Sequence, residues 1–155
     1  MAGYRGDDRQ SSEVLQHGWL NTRDVGLLDE TTGLLHLRGR SRDVIMVNAE
    51  VCYAGAIERV LAAQPGVAQV YVVGVLDEGT GEAVHRFFVR RGPTPPDVSA
   101  LATAVRLELT PDRVPVTVIV VAKVPVTAGG KPDKRALAEL ALERARAART
   151  SQAAW

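Results

Sequence analysis

A single cysteine, Cys52, leaves no partner for an intrachain disulfide, and three scattered histidines make no cluster at metal-ligand spacing. The fold must therefore rest on its own core, and 46% hydrophobic residues in 155 suffice for one domain, or one small domain with an appendage. Aromatic residues are only 5% of the chain, which leaves few platforms on which bases could stack. Nineteen basic against eighteen acidic side chains give a net charge of +1, so there is no electrostatic case for nucleic acid or for an anionic membrane surface. No apolar run approaches the roughly 18 to 20 residues of a membrane span, and the first residues lack the basic, apolar, small-residue order of a signal peptide. Together these absences point to a reducing, cytoplasmic setting.

What is there reads as a polar leader, an α/β-patterned middle and a charged, alanine-rich tail, with no internal repeat. Residues 1–16 are polar with weak periodicity and read as a flexible leader, or one that orders on contact. The stretches VGLL and LLHL within residues 24–37 flank Asp29-Glu30-Thr31-Thr32-Gly33, a β-hairpin in which Gly33 supplies a turn or bulge. A strand follows at 44–47. Ile57, Val60 and Leu61 lie at i, i+3 and i+4, one face of a helix over 55–64 that stops before Pro65-Gly66. Residues 67–76 and 83–91 read as strands joined by the DEGTGE turn.

After a breaker at 92–96, Asp97 or Ser99 caps a helix carrying Leu101, Val105 and Leu109 on one stripe, which Pro111 ends. Residues 116–121 form the most β-branched run in the chain and predict a buried strand. The loop VTAGGKP comes next, and Asp133 caps a final helix to about residue 148. The fold class expected is α+β: a small mixed sheet with helices packed on it, preceded by a β-hairpin and the leader. The expected division is 1–38, 39–140, and a helical or frayed tail over 141–155.

Four segments, in order, carry a family resemblance. They are Gly3-Tyr4-Arg5-Gly6-Asp7, then Gly18-Trp19-Leu20-Asn21-Thr22-Arg23-Asp24, then GRSRDVIMVNAEVCYAGAIERVL over 39–61, and VPVTAGGKPDKRAL over 124–137. They resemble the G-Y, G-W-x-x-T-G-D, hinge and P-x-T-x-x-G-K segments of the acyl-adenylate-forming ligases: acyl-CoA synthetases, peptide-synthetase adenylation domains and luciferases. The match is to the C-terminal part, with its small, lysine-bearing domain.

This resemblance implies roles residue by residue. Asp24 would accept from the ribose hydroxyls of ATP, and Arg40 would pair with ribose or phosphate oxygens through its fork of donors. Arg42 stands at the hinge position. Lys131 stands where the family has its catalytic lysine, on a loop whose Gly129 and Gly130 allow close backbone approach. Its ammonium would neutralise charge as a carboxylate attacks the α-phosphate and pyrophosphate departs. No metal-binding residues are implied in this chain. ATP with Mg is the implied cofactor, bound mainly by a large domain, and CoA or pantetheine the implied acceptor. Pro125 and Pro132 exclude a Walker cradle for this loop, and Gly79-Thr80-Gly81 lies between strands and is a turn.

The sequence also departs from the family. Arg23 replaces the glycine of the T-G-D segment, and Ala49, Ala54 and Ala56 stand where the post-hinge loop has glycine, proline and glutamate. The phosphate loop, adenine pocket and acyl pocket are not among these residues. The expectation is a free-standing C-terminal domain that supplies Lys131 to a separate large domain for carboxylic acid activation. The alternative is a noncatalytic docking module that contacts an acyl or peptidyl carrier protein, CoA or a full-length synthetase. The altered post-hinge loop favours the second; the Lys131 loop favours the first.

Overall fold

The computed structural model describes residues 3–94, 96–109 and 117–152, with side chains to 147. The chain divides into two compact units, Met1–Arg42 and Asp43–Trp155.

The first unit is built from local hydrogen bonds. Asp7 accepts from the Gln10 N–H at 2.8 Å and so caps helix α1, Asp8–Val14. Strands β1, Leu15–Gln16, and β2, Trp19–Leu20, pair antiparallel across His17 and Gly18, both at positive φ. A polar, flexible leader is thus only part of the outcome. Its order comes from a cap and a tight turn, which hydrophobic periodicity cannot reveal, and Val14 is its one buried apolar residue among those described. Strands β3, Asp24–Leu28, and β4, Leu35–Arg40, form the expected hairpin, with a bulge between Val25 and Gly26. Asp29 holds its turn by accepting from the Thr31 and Thr32 N–H groups.

The second unit is a mixed sheet between helices, the α+β architecture that the patterning predicts. Strands β5, Val44–Val47, and β6, Glu50–Tyr53, make a hairpin; helix α2, Ala54–Ala62, follows. Strands β7, Val67–Asp77, and β8, Gly81–Arg90, form the long antiparallel pair at the centre. Helix α3, Val98–Glu108, crosses over to β9, Thr117–Val120, which lies parallel to β8, and helix α4 is Lys134–Gln152. The order is β6-β5-β8-β7, with β9 also on β8.

Alternation along β7 and β8 divides the core by face. Val70, Val72, Val84 and Phe88 pack with Ile57 and Leu61 of α2 and Leu101 and Val105 of α3. Val73, Val75 and Phe87 pack with Ile119 and with Leu137 and Ala141 of α4. Asp97, one of the two residues expected to cap α3, does so through the Ser99 and Ala100 N–H groups.

Three local readings change. Residues 50–53, expected as loop, form β6. The strand expected over 116–121 is Thr117–Val120; among its four residues only Ile119 is buried, because among the described residues β9 pairs with β8 alone and lies at an edge. Pro111 and Val116 lie outside the described residues. The last helix runs unbroken past 148 to Gln152.

Candidate functional site

In the first unit the expected nucleotide residues meet across a strand pair. Asp24 and Arg40 are register partners in β3 and β4. Arg40 Nε lies 2.9 Å from Asp24 Oδ1, and Arg40 Nη1 donates to the Thr22 carbonyl at 2.9 Å. The guanidinium is thereby aimed by one carboxylate and one carbonyl, and the second carboxylate oxygen of Asp24 is left to accept elsewhere.

The loop before Asp24 explains how Arg23 fits a glycine position. It adopts φ 59°, its N–H donates to Asn21 Oδ1, and its carbonyl accepts from the Ser41 N–H at 2.8 Å. Its guanidinium lies 3.6 Å from Glu13 of α1. Arg42 sits in the 3₁₀ turn Ser41–Asp43, and the boundary between the two units falls directly after it.

In the second unit the lysine loop is a closed miniature hairpin. Val126 and Pro132 form an antiparallel bridge, the Thr127 N–H donates to the Lys131 carbonyl at 2.8 Å, and the Gly130 N–H donates to the Thr127 carbonyl at 2.9 Å. Gly130 takes φ 75°, which an L side chain adopts only at a cost, so glycine here makes the turn itself. Lys131 is exposed beside it, with no side-chain hydrogen bond or ion pair among the described residues. The Asp133 N–H donates to the Pro125 carbonyl at 2.8 Å and closes the neck, while its carboxylate accepts from the Arg135 and Ala136 N–H groups and starts α4. Buried Val124 and Leu137 anchor the two sides of the loop in the core.

Sequence reasoning missed the group behind this loop. Lys134 Nζ lies 3.1 Å from Asp43 Oδ2 and 2.9 Å from Glu58 Oε1, and Glu58 Oε1 also accepts from the Val72 N–H at 2.8 Å. These partners are far apart in the chain, Asp43 at the end of the 3₁₀ turn, Glu58 in the middle of α2 and Lys134 at the start of α4, and no local pattern joins them. Among the described residues no three His, Cys, Asp or Glu side chains gather as a metal site, and no helix is long and apolar enough to cross a membrane.

The family described as AMP-binding enzyme C-terminal domain matches residues 56–131, ending on Lys131. The chain is 36% identical over 137 residues to the fatty acid–[acyl-carrier-protein] ligase ScoC of Streptomyces coeruleorubidus, covering 88% of this chain and 26% of that protein. It is 37% identical over 115 residues to a long-chain-fatty-acid–CoA ligase of Escherichia coli O6:H1, covering 74% of this chain and 20% of that one. Among solved structures it is similar to the amide bond synthetase McbA from Marinactinospora thermotolerans, with TM-score 0.80, 41% identity, and 90% of this chain against 28% of that one covered. The chain thus spans about a quarter of the length of the relatives it matches. With the sheet, the lysine loop and the paired Asp24 and Arg40 in place, it belongs to the acyl-adenylate-forming ligases and carries their AMP-binding enzyme C-terminal domain.

Proposed function

We propose that this chain supplies Lys131 to a large domain that binds ATP and a carboxylic acid, and that the two together form an acyl-adenylate. The observation that carries this reading is the closed loop that presents Lys131, exposed and with no side-chain partner among the described residues, from a fixed base at the end of the matched domain.

In the reaction a carboxylate oxygen bonds to the α-phosphorus of ATP while the bond to the pyrophosphate oxygen breaks. The Lys131 ammonium neutralises the charge that gathers there, and as a fixed charge it requires little reorganisation when the reaction occurs. Asp24, with one oxygen free of Arg40, accepts from a ribose hydroxyl, and Arg40 offers its remaining donors to nucleotide oxygens. Mg accompanies the ATP on the large domain. The sulfur of CoA or of a carrier protein's pantetheine then bonds to the acyl carbon while the acyl–phosphate bond breaks, the thiol proton is lost and AMP leaves, and the 3₁₀ turn at Arg42 is the pivot between the two steps. The setting is the cytoplasm, and the large domain acts in trans.

Ala49, Ala54 and Ala56 favour the docking alternative less than the sequence suggests. Ala54 is buried in the core, Ala56 lies within helix α2, and the β5–β6 hairpin forms with Ala49 in its turn, so the elements themselves are intact.

The test is ATP–pyrophosphate exchange. The 155 residues alone are expected to give none. Placed on the large domain of the Escherichia coli long-chain-fatty-acid–CoA ligase in exchange for its aligned segment, with palmitate as the acid, the full chain is expected to support exchange. Lys131→Ala should then lower the adenylation rate by roughly 10² or more with an unchanged circular-dichroism melt. Full rate in that variant would leave the docking module as the better reading.

A further inference from the structure

Lys134 begins α4, where the helix dipole is positive and a cation is disfavoured. Something must hold its ammonium there, and two carboxylates do. Asp43 lies at 3.1 Å and Glu58 at 2.9 Å, and the three side chains are only 26%, 25% and 23% exposed, so the pairs are shielded well beyond ordinary surface pairs.

Each partner belongs to a different part of the unit. Asp43 is its first residue, directly after Arg42. Glu58 lies on α2 and accepts the Val72 N–H of β7, which among the described residues pairs with β8 only, so this carboxylate stands where a further strand would bond. On the other side, Lys134 is three residues from Lys131, across a neck closed by the Asp133 N–H to the Pro125 carbonyl.

We propose that Lys134 is the positioning residue for Lys131, locking the base of the lysine loop to α2, to the edge of the sheet and to the segment after Arg42. Whatever carries Asp43 carries the Lys131 loop with it. The inference rests on the reading of Lys131 as the adenylation group. An exposed ammonium acts on a reacting phosphate only while its attachment is held still, and small misplacements of such groups cost rate steeply.

The test compares Lys134→Gln and Lys134→Arg in two measurements. In the full chain alone, deuterium uptake over the 124–133 loop should rise in Lys134→Gln and stay at the wild-type level in Lys134→Arg, with the β7–β8 amides unchanged in both. In the fusion with the Escherichia coli large domain and palmitate, single-turnover adenylation at saturating ATP should fall roughly 10-fold or more in Lys134→Gln. The ATP concentration for half-maximal rate should not change, and Lys134→Arg should recover most of the rate. A wild-type rate in Lys134→Gln, or an equal loss in Lys134→Arg, overturns the proposal. Lys131→Ala runs beside them: if it too keeps full rate, the functional reading fails, and loop uptake alone judges the tie. Should Lys134→Gln not fold, Asp43→Asn, which keeps the Glu58 pair, takes its place, and wild-type rate and uptake there overturn the proposal.

Discussion

His85 shows how one residue sets a condition on the whole fold. It lies in β8, 4% exposed, with Nδ1 2.6 Å from Thr117 Oγ1 of β9. Burial holds its pKa below the ordinary imidazole value, and the charge of Asp77 offsets this in part. Because the folded value lies below the unfolded one, both states are neutral above about pH 6.5 and the fold keeps its full stability there. As the pH falls below that point, the unfolded chain takes up protons that the folded chain refuses, and stability declines until the folded value is passed. The slope is at most ~1.4 kcal/mol per pH unit. Urea midpoints at pH 7.5 and 5.5 check this: the wild-type chain should lose more than His85→Gln, which keeps a polar group and does not titrate. Equal losses in the two proteins would remove His85 from the account.

At the scale of elements, the β5–β6 hairpin carries its strain in the turn. Asn48 and Ala49 take φ 50° and 63°, the left-handed pair that a two-residue hairpin requires. Asparagine tolerates this and alanine does not, so Ala49→Gly should raise stability by up to about 1 kcal/mol, with an unchanged urea m-value; a lower midpoint would contradict the strain. The same turn explains what the sequence conceals. Strand β5 was legible as an unbroken apolar run, Val44 to Val47, and helix α2 because its apolar residues keep a spacing of three to four. Strand β6 was not, since its turn holds no glycine and only Cys52 of its four residues is buried. In β8, both faces are covered, so Phe87 and Phe88 are buried in succession and His85 and Arg86 are buried with them. Lys131 and its Gly-Gly turn stood out as a local motif. The Lys134 group did not, because its members meet only after the chain has folded.

At the scale of the molecule, the two units differ in what they bury. The second holds a core on both faces of its sheet, whereas in the first Val14 is the one buried apolar residue among those described. Leu27, Leu28, Leu34, Leu35 and Leu37 of the β3–β4 hairpin are all exposed, each by more than half. A two-stranded hairpin with no covered face is marginal in water, so its backbone hydrogen bonds should open in local events that leave the second unit closed. Hydrogen exchange followed by NMR on the full chain reads this directly. The β7–β8 amides should exchange through global unfolding, slowing as stability rises. The β3–β4 amides should exchange orders of magnitude faster and respond little to Ala49→Gly, which stabilises only the second unit. In the fusion with the large domain, the β3–β4 amides should slow while those of β7–β8 change little, because a covered hairpin has apolar area to lose on opening. Equal protection of the two hairpins in the chain alone would mean that the first unit is held by more than its own contacts, and the separation into two independent units would fail.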